Sequence, residues 1–314
     1  MNRELVVTVS GRRMVLTNPG KVLWPASSVT KGDMIEYYLR VAPLMLPHLA
    51  DRPLVLTRYP DGVDGEWFYQ KDCPDYAPPW LETFPYRART TDRAIAFILA
   101  RDASDLAWLA NQAAIEIHPW LSRCDQPERP DFAVFDLDPS PPADFRWVVE
   151  VAFIIKGILD RLSLRAYPKT SGATGLHIYL PVQRLYPYSE LARLVAAVAD
   201  LIWADRPDLT TRERTVAKRR GVYIDHLQNV LGKTIAAPYS LRPTPEATVS
   251  TPVRWDELPD LDPRTFTIRT VRDRFERVGD LFAPVLTDKQ RLTGLLEEVV
   301  VKPYRGSKAL PRPE

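Results

Sequence analysis

Cysteine is nearly absent from this 314-residue sequence: Cys73 and Cys124 are its only two, and neither belongs to a paired-cysteine pattern. That excludes a disulfide framework and a cysteine zinc site, so any metal must sit on oxygen ligands or histidine. Long apolar runs are missing as well. The most apolar long window, Leu191 to Ala204, contains Arg193 and Asp200 and is too short to cross a bilayer, and the first residues lack a signal-like stretch. The expectation is a cytoplasmic protein with no membrane partner. No internal repeat or Gly/Ser linker divides residues 1 to about 300, which read as one unit with subdomains, followed by a basic, proline-containing tail or linker stub over 301–314. A large excess of one charge is also lacking. The formal net charge is +2, which by itself does not announce a nucleic-acid binder, since such binding rests on a concentrated basic face.

What is present is a 45% hydrophobic composition, enough to fill a core. Lys accounts for 10 of the 42 basic residues and Arg for the other 32. The planar fork of Arg suits phosphate oxygens, although a genome-wide compositional bias explains the same count. Thirty prolines indicate rigid loops rather than disorder, because no low-complexity tract accompanies them.

Leu5 to Thr17 alternates and is broken by Ser10-Gly11, which predicts an opening hairpin, followed by the irregular Asn18-Pro19-Gly20-Lys21. Thr30 with Asp33 forms a capping-box signal for a helix whose buried stripe holds Ile35, Tyr38 and Leu39 and which should stop near Pro43. Further helices are predicted over Ala103–Ala114, Asp144–Leu162 and Ser189–Ala204. Strands are predicted over Phe132–Asp138, ended by Pro139, over Leu164–Tyr167 and Leu176–Leu180, joined through a loop from Lys169 to Gly175, and over Val222–Asp225. The architecture is mixed α and β.

On the Phe132–Asp138 strand, side chains alternate between faces, so Asp136 and Asp138 project together. Two carboxylates a strand-step apart repel each other, and hard divalent cations relieve that repulsion. Taken alone, an Asp-x-Asp reads first as two solvated or capping acids at a strand end. Ser171-Gly172-Ala173-Thr174-Gly175-Leu176-His177 offers glycines, hydroxyls and amides able to cradle phosphate oxygens, or an ordinary hairpin turn with a surface histidine. Asp225 ends an apolar run just after Lys218-Arg219-Arg220, which would place an acid beside cations able to hold a triphosphate, or simply close a salt-linked strand end.

These residues, in five ordered blocks, resemble the polymerase domain of bacterial ligase D, the end-joining branch of the archaeo-eukaryotic primase superfamily. The blocks are Leu16-Thr-Asn-Pro-Gly-Lys-Val-Leu-Trp-Pro25, Ala110-Asn-Gln-Ala-Ala-Ile-Glu-Ile-His-Pro-Trp120, Phe135-Asp-Leu-Asp-Pro139, Thr170-Ser-Gly-Ala-Thr-Gly-Leu-His177 and Ala237-Pro-Tyr-Ser-Leu-Arg242. The resemblance implies an α+β fold: a primase-like catalytic core of β-sheets flanked by helices, with an N-terminal α/β subdomain packed against it. It implies a template-dependent nucleotidyltransferase that fills or extends DNA break ends, preferably with ribonucleotides, in non-homologous end joining. The cofactors would be two Mn2+ or Mg2+ ions on Asp136, Asp138 and Asp225. His118, Ser171, His177, Lys218, Gln228 and Arg242 would contact the NTP or dNTP. Asn18, Lys21 and Lys31 would grip a 5′-phosphate at a DNA end or gap. Trp67, Phe68 and Lys71 would face the DNA, with Tyr69 expected in the core. A Ku-like end-binding protein, a DNA ligase and a nucleoid-associated location are implied in the same way. The sequence departs from the pattern at Thr174, where many relatives carry a lysine, and in the Lys218–Arg220 cluster, which is one residue shorter than common forms.

Two other readings stand beside this one. Hydrophobic residues followed by Asp-Leu-Asp also open haloacid-dehalogenase-type phosphohydrolases, where the first acid is a nucleophile, though Pro139-Ser140 replaces their usual continuation. A noncatalytic DNA-end binding module would keep the 5′-phosphate residues and need none of the acids.

Overall fold

Ser10 and Gly11 take positive φ values of 47° and 76°, the left-handed backbone that a tight hairpin turn needs. They fold β1 (Glu4–Val9) antiparallel onto β2 (Arg12–Thr17), as the alternation predicted. The computed structural model describes residues 4–87 and 93–292, so the tail expected over 301–314 lies outside the described residues. The chain divides into two compact units, Met1–Pro127 with Thr234–Pro252 and Pro263–Leu281, and Glu128–Lys233 with Val253–Asp262 and Phe282–Glu314.

In the first unit, β3 (Val22–Trp24) and β4 (Val29–Thr30) lead into α1 (Lys31–Leu49). The capping box is present: the Thr30 hydroxyl accepts from the Asp33 amide, and the Asp33 carboxylate accepts from the Thr30 amide at 2.8 Å. The helix does not stop near Pro43. It runs through Pro43 and Pro47, both exposed, because the stripe Met34, Ile35, Tyr38, Val41, Met45 and Leu49 remains buried throughout. Burial is worth roughly 1.5–3 kcal/mol per large apolar side chain. Met45 and Leu49, the two such residues beyond Pro43, contribute about 3–6 kcal/mol, comparable with the about 3 kcal/mol that each of the two interior prolines costs.

The same unit continues with β5 (Leu54–Arg58), β6 (Phe68–Gln70), β7 (Thr83–Tyr86), β8 (Ile95–Ile98), α2 (Ala103–Asn111) and β9 (Ala114–Pro119). Strand β5 pairs with β6, β8 and β9, all antiparallel, and β7 extends the sheet from β8. Helix α2 ends earlier than the Ala103–Ala114 expectation because Ala113 turns to φ 55° and Ala114 enters β9.

The second unit is built on β10 (Phe132–Ser140), α3 (Phe145–Arg161), β11 (Tyr167–Thr170), β12 (Leu176–Pro181), α4 (Tyr188–Asp205), β13 (Thr210–Thr211) and β14 (Gly221–Asp225). Its five-stranded sheet has the order β11-β12-β10-β14-β13, with α3 and α4 packed on β10. Pro139 does not end β10. Pairing with β12 stops at Leu137 while pairing with β14 continues to Ser140, so the proline falls where one side of the strand is already an edge, and its missing N–H costs no ladder bond there. Strand β11 lies three residues beyond the expected Leu164–Tyr167, taking Lys169 and Thr170 out of the predicted loop and into the sheet. Later in the chain, α5 (Val271–Val278) returns to the first unit and α6 (Ala283–Thr287) to the second.

Candidate active site

Strand register in the second unit aligns four ionisable residues in one transverse row. Lys169 on β11 is the direct partner of His177 on β12, His177 of Asp136 on β10, and Asp136 of Asp225 on β14. Direct cross-strand partners share a face with Cβ atoms about 5 Å apart, so the row forms a line of side chains on one sheet surface. Lys169 Nζ is 2.8 Å from His177 Nδ1, and His177 Nε2 is 3.3 Å from Asp136 Oδ1. Lys169, His177 and Asp136 are all buried.

The acidic end of the row is electrostatically tense. Burial raises the Asp225 pKa and the charge of Asp136 adds to it, while the Leu227 amide, donating to Asp225 Oδ1 at 2.9 Å, works the other way. Asp138 shares the face by alternation, and its carboxylate is 3.7 Å from Arg219 Nη1. Arg219 also lies over the ring of Tyr223, the cross-strand partner of Asp138. Gln228 donates its Nε2 to Asp136 Oδ2 at 3.2 Å, and its own Oε1 is buried with no hydrogen-bond partner. Among the described residues, no group of three or more His, Cys, Asp or Glu side chains is drawn together closely enough to hold a metal ion as it stands. The residues nevertheless fit an open, oxygen-ligated site: two carboxylates side by side whose repulsion a dication relieves, a third on the same face, and an amide oxygen lacking a partner.

The loop Ser171–Gly175 is held by its own serine. Ser171 Oγ accepts from the Ala173 and Gly175 amides at 3.1 and 3.0 Å, which turns two of the amides expected to face phosphate inward. Gly175 is required, because a Cβ there would lie 2.3 Å from the Leu137 carbonyl oxygen. His177 is not the surface residue that a plain hairpin turn would carry; it is 4% exposed. Lys218 is exposed in a short 3₁₀ turn, and Arg219 is the member of that cluster that approaches an acid.

In the first unit, β9 presents Glu116 and His118 on one face. Arg242 Nε stands 3.1 Å from Glu116 Oε1, close enough to ion-pair though not aligned as a hydrogen bond. His118 Nε2 is 3.6 Å from the other oxygen and 3.3 Å from Thr57 Oγ1. Burial alone would raise the Glu116 pKa; bonding and charge from His118, Arg242 and Thr57 overcome it and bring the pKa down to about 2. Glu116 is absent from the residues expected at the site, although the alternation Ile115-Glu-Ile-His118 sets it on the same strand face as His118.

The same unit gathers Asn18, Lys21 and Lys31 at the start of α1. Asn18 takes φ 50°, its carbonyl accepts from the Lys21 amide, and the Lys21 carbonyl accepts from the Lys31 amide. Lys31 is buried and donates to Thr17 Oγ1 at 3.0 Å; burial, then the charges of Lys21 and Arg58, lower its pKa to about 8. Lys21 pairs with Asp61 at 2.7 Å. Trp67 and Phe68 are about half exposed, Lys71 is exposed, Trp67 stacks on Tyr59, and Arg58 lies over Phe68. Tyr69, expected in the core, is the most exposed of the three aromatics at 63%; it packs edge-on against Trp67 rather than inward.

A family model described as the LigD primase-polymerase domain matches residues 30–282. The chain belongs to that family. It is 37% identical over 279 residues to the multifunctional non-homologous end joining protein LigD of Mycolicibacterium smegmatis, covering 88% of this chain and 36% of that protein. It is 36% identical over 270 residues to the bifunctional non-homologous end joining protein LigD of Bacillus subtilis, covering 85% and 43%. The chain thus spans less than half the length of these relatives. A solved polymerase domain from Mycobacterium tuberculosis ligase D in complex with DNA superposes with a TM-score of 0.81 at 34% identity, covering 88% of this chain and 99% of that one.

Membership in the LigD primase-polymerase family settles the α+β fold. It also disposes of the dehalogenase alternative, since β10 is antiparallel to both of its neighbours and not part of the parallel sheet that such phosphohydrolases use. No described helix is long and apolar enough to cross a membrane.

Proposed function

We propose that this domain is a metal-dependent nucleotidyltransferase that extends the 3′ end of DNA at breaks and gaps during non-homologous end joining, with a preference for ribonucleotides. The observation that carries the proposal is the register that sets Asp225 against Asp136, with Asp138 on the same face. Asp136, Asp138 and Asp225 would hold two Mn2+ or Mg2+ ions. The chemistry supplied by bound metal is activation of the primer 3′-hydroxyl and neutralisation of the leaving pyrophosphate.

The protein's own part is positioning and charge. Gln228 Nε2 and His177 Nε2 flank the two oxygens of Asp136 and would keep it oriented toward the acid partner while meeting the incoming nucleotide. Ser171 shapes the loop before β12, and Lys218 adds positive charge for the triphosphate. In the first unit, Arg242 and His118 are the nucleotide-contacting residues, held by Glu116. Asn18, Lys21 and Lys31 would bind a downstream 5′-phosphate, and Trp67, Phe68 and Lys71 the DNA strand. A Ku-like end binder, a ligase and the nucleoid would be its setting.

The test is incorporation of each ribonucleotide and deoxyribonucleotide on a gapped duplex, with and without the 5′-phosphate, with manganese or magnesium. Template-dependent extension that is lost in Asp136→Ala and Asp138→Ala supports the proposal. DNA-end binding without incorporation by the wild-type chain would make it a noncatalytic end-binding module.

A further inference from the structure

Lys169 is a fully buried lysine to which the proposed reaction gives no task. It stands at the end of the transverse row, its Nζ 2.8 Å from His177 Nδ1 and 5.8 Å from the centre of the Tyr179 ring. An aromatic face stabilises an ammonium ion at this range. At the other end of the imidazole, Nε2 lies 3.3 Å from the Asp136 carboxylate. An ammonium has three donors and no acceptor, and a carboxylate has only acceptors. A ring between them satisfies both ends in a single arrangement, with the Nδ1 lone pair toward Lys169 and the Nε2 proton toward Asp136.

We propose that Lys169 is a positioning residue whose buried ammonium, donating to Nδ1, fixes His177 as the Nε2–H tautomer and aims that proton at the acid cluster and the nucleotide phosphate. The inference rests on the nucleotidyl-transfer reading only for its second half; the tautomer stands by itself. The opposite tautomer would turn a lone pair onto Asp136 Oδ1 and onto any phosphate oxygen beside it, which repels both. The register supports the assignment, because Lys169 and His177 are direct cross-strand partners on β11 and β12 and their side chains leave the sheet on the same face.

Ring 15N shifts in metal-free, 15N-histidine-labelled protein give the readout, with the His177 signals identified by their loss in His177→Gln. The wild-type chain is expected to show a protonated Nε2 and an unprotonated Nδ1 at His177. In Lys169→Met, where only Asp136 still favours the Nε2–H form, a protonated Nδ1 population should become detectable beside it, and primer extension should fall about 10- to 100-fold, the usual cost of removing a group that orients a site residue, with KM for the nucleotide rising. Lys169→Arg, which keeps a donor, should keep the Nε2–H signature and lose less. A protonated Nδ1 in the wild type overturns the proposal without needing any variant, even if Lys169→Met fails to fold. So does a Lys169→Met protein with unchanged His177 signals. A wild type with the expected tautomer and no extension would instead sink the reaction reading and leave the tautomer assignment intact.

Discussion

Asp225 faces Asp136 directly across the β14–β10 ladder, so two acids share one patch of sheet with no lysine or arginine between them in the row. Such a pair is a stability cost in the absence of cation, since burial and the Asp136 charge both disfavour ionised Asp225. Asp225→Asn retains an oxygen to accept from the Leu227 amide and removes the repulsion. It is expected to raise the metal-free Tm by a few degrees, about what 1 kcal/mol gives in a domain of this size, while extension drops by at least about a hundredfold. Thermal melts and gap-filling on one preparation check both halves; a lower Tm contradicts the argument.

Lys31 has a pKa lowered to about 8, so it carries its charge at pH 7 and sheds it as pH rises through that value. If it grips a 5′-phosphate, the ratio of affinities for phosphorylated and unphosphorylated gaps should decline between about pH 7 and pH 9.5. For folding the sign is opposite: the unfolded chain binds more protons between about 8 and the ordinary lysine value, so this residue's contribution to stability improves with rising pH across that window. Lys31→Arg should leave the affinity ratio flat with pH. A wild-type ratio that stays constant would refute the assignment.

Glu116 holds Arg242 and His118 from one carboxylate. Glu116→Gln keeps the shape but removes the charge that holds Arg242 and His118, and KM for the nucleotide should rise about 10- to 100-fold with a smaller effect on kcat. Its depressed pKa, about 2, means the stabilising contribution is fully present above the unfolded value near pH 4.5 and is lost as pH falls toward 2. Wild type and variant should therefore differ in stability above about pH 5 and converge progressively as pH falls from about 4.5 toward 2, as urea titrations would reveal.

Trp67 and Phe68 offer half-exposed faces beside Arg58. Stacking on a base contributes about 1–3 kcal/mol, so Trp67→Ala and Phe68→Ala should each weaken binding of gapped DNA roughly tenfold or more while leaving Tm nearly unchanged. Loss of Tm without loss of binding would place these rings in the packing of β6 instead.

Much of this was legible in residue patterns. The Ser10-Gly11 turn, the Thr30/Asp33 cap and the limits of α3 follow from local chemistry that tertiary contacts reinforce. Pro43 misled because a proline's local cost is visible in sequence and the burial that offsets it is not. The face shared by Asp136 and Asp138 follows from alternation, but nothing in the chain says which residue of β14 stands against Asp136; that is a property of pairing. The local pattern places β11 three residues early and leaves Lys169 in the loop, so its partnership with His177 is a property of the strand pairing and not of the residues around it. Glu116 escaped notice because a lone acid among isoleucines carries meaning only once Arg242, more than a hundred residues later, is folded against it.

Under the proposed reaction, the transverse row also makes folding fidelity and chemistry the same problem. Were β14 to slip by one position against β10, Ile224 would take the place of Asp225 and every side chain of the strand would change faces. Molecules trapped with that mispairing would be catalytically dead rather than slow, so a partly refolded preparation should behave as a mixture of full-strength and silent copies, with specific activity reporting the fraction in register.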